Sequence, residues 1–157
     1  MDDDFEKIKI EVLKAYTRAI RYLSYRPRSE KEIRDRLERK KFDPQIIDQV
    51  IEKLKEDKFL DDHAFAEWWT MQRQDFRGKS KYIISRELAE KGIDRTLSGD
   101  ALAKAKDDYL TAKDLFDRKK RLFDRYTGDE YTKKVTGFLQ RKGYSWDVIQ
   151  KILKTDD

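Results

Sequence analysis

The sequence has no cysteine, only one histidine, and two prolines among 157 residues. Without cysteine there can be no disulfide framework, no thiolate zinc site and no cysteine nucleophile. With His63 alone there can be no multi-histidine metal site, and any Ser-His-Asp triad would have to use this one residue. His63 lies just past an expected helix start, where a solvated position is the simplest reading. Gly78, Gly92, Gly99, Gly128, Gly137 and Gly143 stand singly, so no glycine-rich phosphate loop is present. No apolar run approaches the roughly 20 residues of a membrane-spanning helix. The start, Met1-Asp2-Asp3-Asp4, is acidic, the opposite of a signal peptide. These absences point to a non-enzymatic protein of the reducing cytoplasm, with no cofactor, no metal and no membrane partner.

Apolar residues are also scarce, at 38%, whereas charged residues reach 44%. That is too little apolar material for one thick core but enough for several thin helix–helix layers, each with a solvated face. Aromatics at 12% argue against a disordered polar tract. The net charge of +5 favours polyanions or acidic protein surfaces as partners.

Repetition is the strongest signal present. Ile33-Arg34-Asp35-Arg36-Leu37-Glu38-Arg39-Lys40-Lys41-Phe42 reads aliphatic, three residues, Leu, two residues, Lys, then Lys or Gly, then a large apolar residue. Ile84 to Ile93 and Val135 to Tyr144 read the same way. Leu37, Leu88 and Leu139 are spaced by 51 residues, as are Ile46, Leu97 and Val148, and Ile51, Leu102 and Leu153. The register predicts a triplication with no insertion from Ile33 through Leu153.

Each unit reads as three helices. Phe5, Ile8, Val12, Ala15, Ala19 and Leu23 share one face of an opening helix, and Arg26-Pro27-Arg28 breaks it. Ser29-Glu30-Lys31-Glu32 is a capping box for the second helix. Asp43-Pro44 opens the third, with aspartate as cap and proline at the first helical position. In the second unit Asp61 or Asp62 caps a helix carrying Phe65, Ala66, Trp69 and Met71. Ser80 restarts the chain, Gly92 ends the second helix and Asp94 caps the third, which tolerates Gly99 at about 1 kcal/mol. The third unit opens on Tyr109, Ala112, Phe116, Phe123 and Tyr126. Thr127-Gly128-Asp129-Glu130 supplies another capping box, and Ser145 caps the last helix. The expectation is an all-α chain of three tandem three-helix repeats, winged-helix-like units without wings, elongated and curved. Repeat one covers residues 1–58 with an N-terminal helix extension, repeat two 59–107 and repeat three 108–157. Stacked in series, they form a monomer.

The cations concentrate at particular turns. Between Arg18 and Lys41 lie ten basic and four acidic residues. Arg26 and Arg28 occupy the turn before the second helix, and Arg77, Lys79 and Lys81 hold the same place one repeat later. A basic turn beside a helix N-terminus presents cations and backbone N–H groups together, which suits phosphate or carboxylate. Unit three has Gly128-Asp129-Glu130 there. Asp61-Asp62 and Asp107-Asp108 read as helix caps rather than a cation site. Trp68 and Trp69 point about 100° apart on one helix. Trp69 continues the stripe from Phe65, which leaves Trp68 as the surface candidate for a partner or a neighbouring unit. Tyr25 and Tyr82 can stack bases or pack between repeats.

Arg26-Pro27-Arg28-Ser29-Glu30 followed by Ile33 and Leu37 resembles the RecX signature R-P-x-S-x-x-E-L, with isoleucine for its final leucine. Phe59-Leu60-Asp61-Asp62-His63-Ala64-Phe65-Ala66 resembles y-l-D-D-x-x-F-A. Arg77-Gly78-Lys79-Ser80-Lys81-Tyr82-Ile83 resembles x-G-P-x-x-I, with Lys79 for proline. Lys91-Gly92-Ile93 and Arg141-Lys142-Gly143-Tyr144 match later landmarks. The resemblance implies three three-helix repeats and a regulator, usually an inhibitor, that binds the RecA–DNA filament groove and modulates strand exchange and ATP hydrolysis. It implies the RecA filament as partner, with single- or double-stranded DNA contact. Carried across, Arg26, Arg28, Gly78 and Lys79 would form a basic face, to which Arg77, Lys81 and Trp68 add from the reading of the residues. A nucleic-acid-binding helical module without RecA specificity is the alternative, since three-helix units resemble helix-turn-helix folds.

Overall fold

The computed structural model describes residues 1–156. Among them are nine α-helices and no strand: α1 (Asp2–Leu23), α2 (Glu30–Arg39), α3 (Pro44–Glu56), α4 (Asp62–Arg77), α5 (Lys81–Glu90), α6 (Arg95–Lys104), α7 (Asp108–Lys119), α8 (Gly128–Arg141) and α9 (Trp146–Thr155). A 3-10 turn, Lys120–Phe123, joins α7 to α8. The helices pack in threes around three separate apolar clusters. The first holds Ala15, Ala19, Ile33, Leu37, Val50 and Leu54, and Leu60 from the connection to α4 also packs there. The second holds Phe65, Ala66, Trp69, Ile84, Leu88, Ile93 and Ala101. The third holds Ala112, Leu115, Phe116, Phe123, Val135, Leu139, Tyr144 and Ile149.

Three thin cores in series leave much surface in water. The accessible surface is 10632 Å², against roughly 8,400 Å² for a compact protein of this mass. Units that touch only their neighbours produce that excess.

The repeat pattern has a backbone cause. Helices α2, α5 and α8 end when Lys41, Gly92 and Gly143 turn into the left-handed region. The amides of Phe42, Ile93 and Tyr144 then donate to the carbonyls of Leu37, Leu88 and Leu139. This is the helix-ending bond that brings an apolar residue after the cap back onto the last turn. It explains why a leucine is followed five residues later by a large apolar side chain in all three units.

Several sequence expectations need correction. Phe5 and Ile8 are exposed, so the first two turns of α1 extend past the first core. Met71 is exposed as well, and buried Gln74 takes over the stripe. Asp43 and Thr127 stand at the N-caps of α3 and α8 without side-chain cap bonds, so the second predicted capping box does not form. The register of 51 holds for the second and third helices of each unit but not for the opening ones. Asp62 and Asp108, at equivalent starts, are 46 residues apart. The extra residues are taken up by the 3-10 turn and by α8, which has 14 residues where α5 has 10.

Candidate functional site

The basic turns lie at the joints between units. At the first joint, Ser29 caps α2 by accepting from the Glu32 amide, and Glu32 accepts from the Ser29 amide, each at 3.2 Å. The Ser29 hydroxyl donates across the joint to the Lys91 carbonyl at 2.7 Å. Asp61 caps its own helix, but Asp62 reaches back and accepts from the Glu30 amide at 2.8 Å. Asp61 and Asp62 are thus not alternatives for one cap. One caps α4 and the other caps α2 of the preceding unit.

Glu32 is the centre of this joint. Arg26 grips its carboxylate with two donors at 2.6 and 3.2 Å. Lys91 donates at 3.2 Å, and Arg28 stands 3.9 Å away. Burial pushes the Glu32 pKa up, but the hydrogen bonds from Arg26, Ser29 and Lys91 outweigh it and hold the carboxyl below its ordinary value. The side chains of Arg28 and Glu32 are only 13% and 11% exposed. Arg28 stacks on Tyr22 at 3.7 Å, and burial followed by repulsion from Arg26 lowers its pKa. Arg26 also lies 5.5 Å from the Trp69 ring and 6.0 Å from Trp68. Trp68 is half-buried, packed beside Phe65 and Trp69 at the same joint. Trp69 donates its indole N–H to Glu87, which Arg73 also grips.

The second joint repeats the plan. Ser80 accepts from the Ile83 amide at 3.2 Å, and Asp108 accepts from the Lys81 amide at 2.9 Å, as Asp62 does one unit earlier. The Ser80 amide donates to the Lys142 carbonyl at 3.0 Å. Lys142 Nζ donates to the Arg77 carbonyl at 3.2 Å, and the Tyr144 hydroxyl to the Gly78 carbonyl at 2.6 Å. Gly78 adopts φ +59°, and a Cβ there would meet Leu115 of α7 at 2.8 Å. Its role is therefore close approach at a joint. Arg77 is exposed, and Lys79 and Lys81 are half-buried.

The structure therefore brings the expected site residues into two clusters, one per joint, and changes the reading of the helix starts. The amides of Glu30 and Lys81 are already bound by Asp62 and Asp108, so they are not free for an external anion. Arg26 and Arg28 are engaged by Glu32, Tyr22 and the Tyr22 carbonyl. Sequence reasoning missed Glu32 as an ion-pair centre, the reach-back role of Asp62 and Asp108, and Lys91 and Lys142 as cross-joint partners. The paired aspartates were the available signal: one cap needs only one. Tyr25 and Tyr82 are exposed, free of the packing between repeats. His63 stands near Glu67 on the surface. Among the described residues, no group of three or more His, Asp or Glu is placed to hold a metal ion, and no helix is long and apolar enough to cross a membrane.

Comparison with known proteins gives a consistent result. Residues 15–54 match the family model of the first three-helix domain of RecX, 61–102 the second and 106–153 the third. The chain is 33% identical over 151 residues to the regulatory protein RecX of Geobacillus sp. strain WCH70, covering 93% of this chain and 55% of that protein. It is 34% identical to the same regulatory protein of Bacillus subtilis strain 168, covering 94% of this chain and 58% of the relative. The chain thus spans just over half the length of these relatives. The crystal structure of RecX from Lactobacillus salivarius superposes with a TM-score of 0.78 at 26% identity, covering 94% of this chain and 97% of that one. A second crystal structure, of a regulatory protein RecX, gives 0.77 at 27% identity over 94% of this chain and 74% of the other.

Proposed function

The chain belongs to the RecX family of regulatory proteins, and from that premise we propose that it is a cytoplasmic, monomeric, non-enzymatic regulator of the RecA recombinase. It binds the RecA–DNA filament in its groove and limits strand exchange and ATP hydrolysis. The observation that carries this reading is the consecutive match of all three RecX domains along one chain whose units are joined without flexible linkers. The connections between α3 and α4 and between α6 and α7 are short, and each joint is fastened by Asp62 or Asp108 and by Ser29 or Ser80. A series of units held in fixed orientation presents a long surface, which suits a helical groove better than a single point of contact. Arg77, Lys79 and Lys81 are the contact residues of this surface. Arg26, Arg28, Gly78 and Trp68 shape it by holding the joints.

The test is co-sedimentation with filaments of the cognate RecA on single-stranded DNA. Retention in the pellet with RecA, above that with DNA alone, is the expected result. Equal retention with and without RecA would replace this reading with that of a nucleic-acid-binding helical module.

A further inference from the structure

The two joints are built alike but charged differently. Displacement by 51 residues carries Arg26 to Arg77, Arg28 to Lys79 and Lys91 to Lys142, each a cation replacing a cation. The same step carries Glu32 to Ile83. The first joint therefore has three cations closed on a carboxylate, and the second has three cations with no carboxylate at the corresponding position, since Asp108 is spent on the Lys81 amide. The backbone shows the effect of that loss. The Ser29 amide donates to Glu32, whereas the Ser80 amide has no glutamate to use and donates to the Lys142 carbonyl.

No ion pair closes the second cluster. Among the described residues, Arg77, Lys79, Lys119 and Lys142 have no ion pair, and neighbouring Arg118 is engaged by Asp114 at 3.3 Å. Lys142 is half-buried. Burial, then the repulsion of Lys79, Arg77, Lys119 and Arg118, lowers its pKa. Phe76 and Tyr82, 71% and 63% exposed, flank the turn on either side.

We propose that the joint between units two and three is a binding site for a backbone phosphate of single-stranded nucleic acid, held at the surface of the turn by Arg77, Lys79 and Lys142, the counterparts of the three cations that close on Glu32 at the first joint. Exposed rings beside an unneutralised basic turn favour nucleic acid over an acidic protein surface, since bases stack on aromatic faces and a carboxylate has no use for them. The proposal deepens the reading of this turn as a contact surface and rests on it, but not on RecA being the partner.

The test uses the full chain without RecA. Binding of a fluorescein-labelled oligothymidylate is followed by anisotropy over a range of salt concentrations. Ile83→Glu supplies the missing carboxylate in place. It should weaken binding at least about tenfold and flatten the log–log salt dependence by about 0.7 for each phosphate no longer held. Ile83→Gln, with the same shape and no charge, should bind as the unaltered protein does. Lys142→Gln should also weaken binding while its melting temperature holds or rises, because a half-buried charge repelled by its neighbours has been removed. This variant carries the test should Ile83→Glu not fold. Unchanged binding by a folded Ile83→Glu, or by Lys142→Gln, would overturn the proposal, as would equal losses in Ile83→Glu and Ile83→Gln. A charge effect on RecA filament binding with unchanged oligonucleotide affinity would assign the site to a protein carboxylate instead. Failure of the RecA reading alone would show as normal oligonucleotide binding with no RecA-dependent retention in the pellet.

Discussion

Gly78→Ala tests whether the turn at residue 78 is a structural joint. Two penalties add at this position. The backbone lies at φ +59°, and an alanine in the left-handed region costs about 1–2 kcal/mol. Its Cβ would also stand 2.8–2.9 Å from three side-chain atoms of Leu115, which is itself buried among Ala112, Phe116 and Leu139. Forcing a methyl into a packed site costs about 1–3 kcal/mol more. The total, about 2–5 kcal/mol, should appear as a lower urea midpoint with an unchanged slope. Gly128→Ala is the control, since its φ is +58° but nothing lies within 4 Å of the new methyl. It should lose only the backbone share, about 1–2 kcal/mol. Equal losses at the two positions would refute the claim that Leu115 is seated on Gly78.

Leu37→Ala, Leu88→Ala and Leu139→Ala, each removing a wholly buried side chain, should destabilise by about 2–5 kcal/mol in denaturant titrations. Asp62→Ala and Asp108→Ala should each cost about 0.5–2 kcal/mol and raise amide exchange at Glu30 and Lys81 respectively, although these amides belong to the preceding unit. Glu32 has its pKa lowered in the folded protein, so its ionised form stabilises the fold at neutral pH and that share is lost as pH falls through the folded value. The stability difference between the unaltered protein and Glu32→Gln should therefore be full at pH 7 and disappear in acid below the ordinary glutamate range. Small-angle scattering should give a radius of gyration above the roughly 15 Å of a compact globule of this length.

Much of the fold was legible because its signals are local. Capping serines, left-handed cap residues and the leucine paired with an apolar residue five positions on all act within one or two turns, so they recur in the sequence at 51. The opening helices escaped that register because α7 begins early and the 3-10 turn and longer α8 absorb the difference. Apolar spacing shows which face a helix buries but not how far its core extends, so Phe5 and Ile8 were assigned to a core that ends before them. The joints were less legible than the units. Arg26 and Arg77 have the same place in the repeat, and only the residue at 32 or 83 decides whether that cation is engaged. Asp62 likewise acts on a helix 32 positions upstream, a distance that no periodicity reveals.

The proposal that this chain restrains RecA is tested most directly by ATP hydrolysis by the cognate RecA on single-stranded DNA. Titrated into preformed filaments, the folded protein should lower the hydrolysis rate to a saturating minimum. An unchanged rate, at concentrations where the protein is bound to those same filaments, would contradict the account.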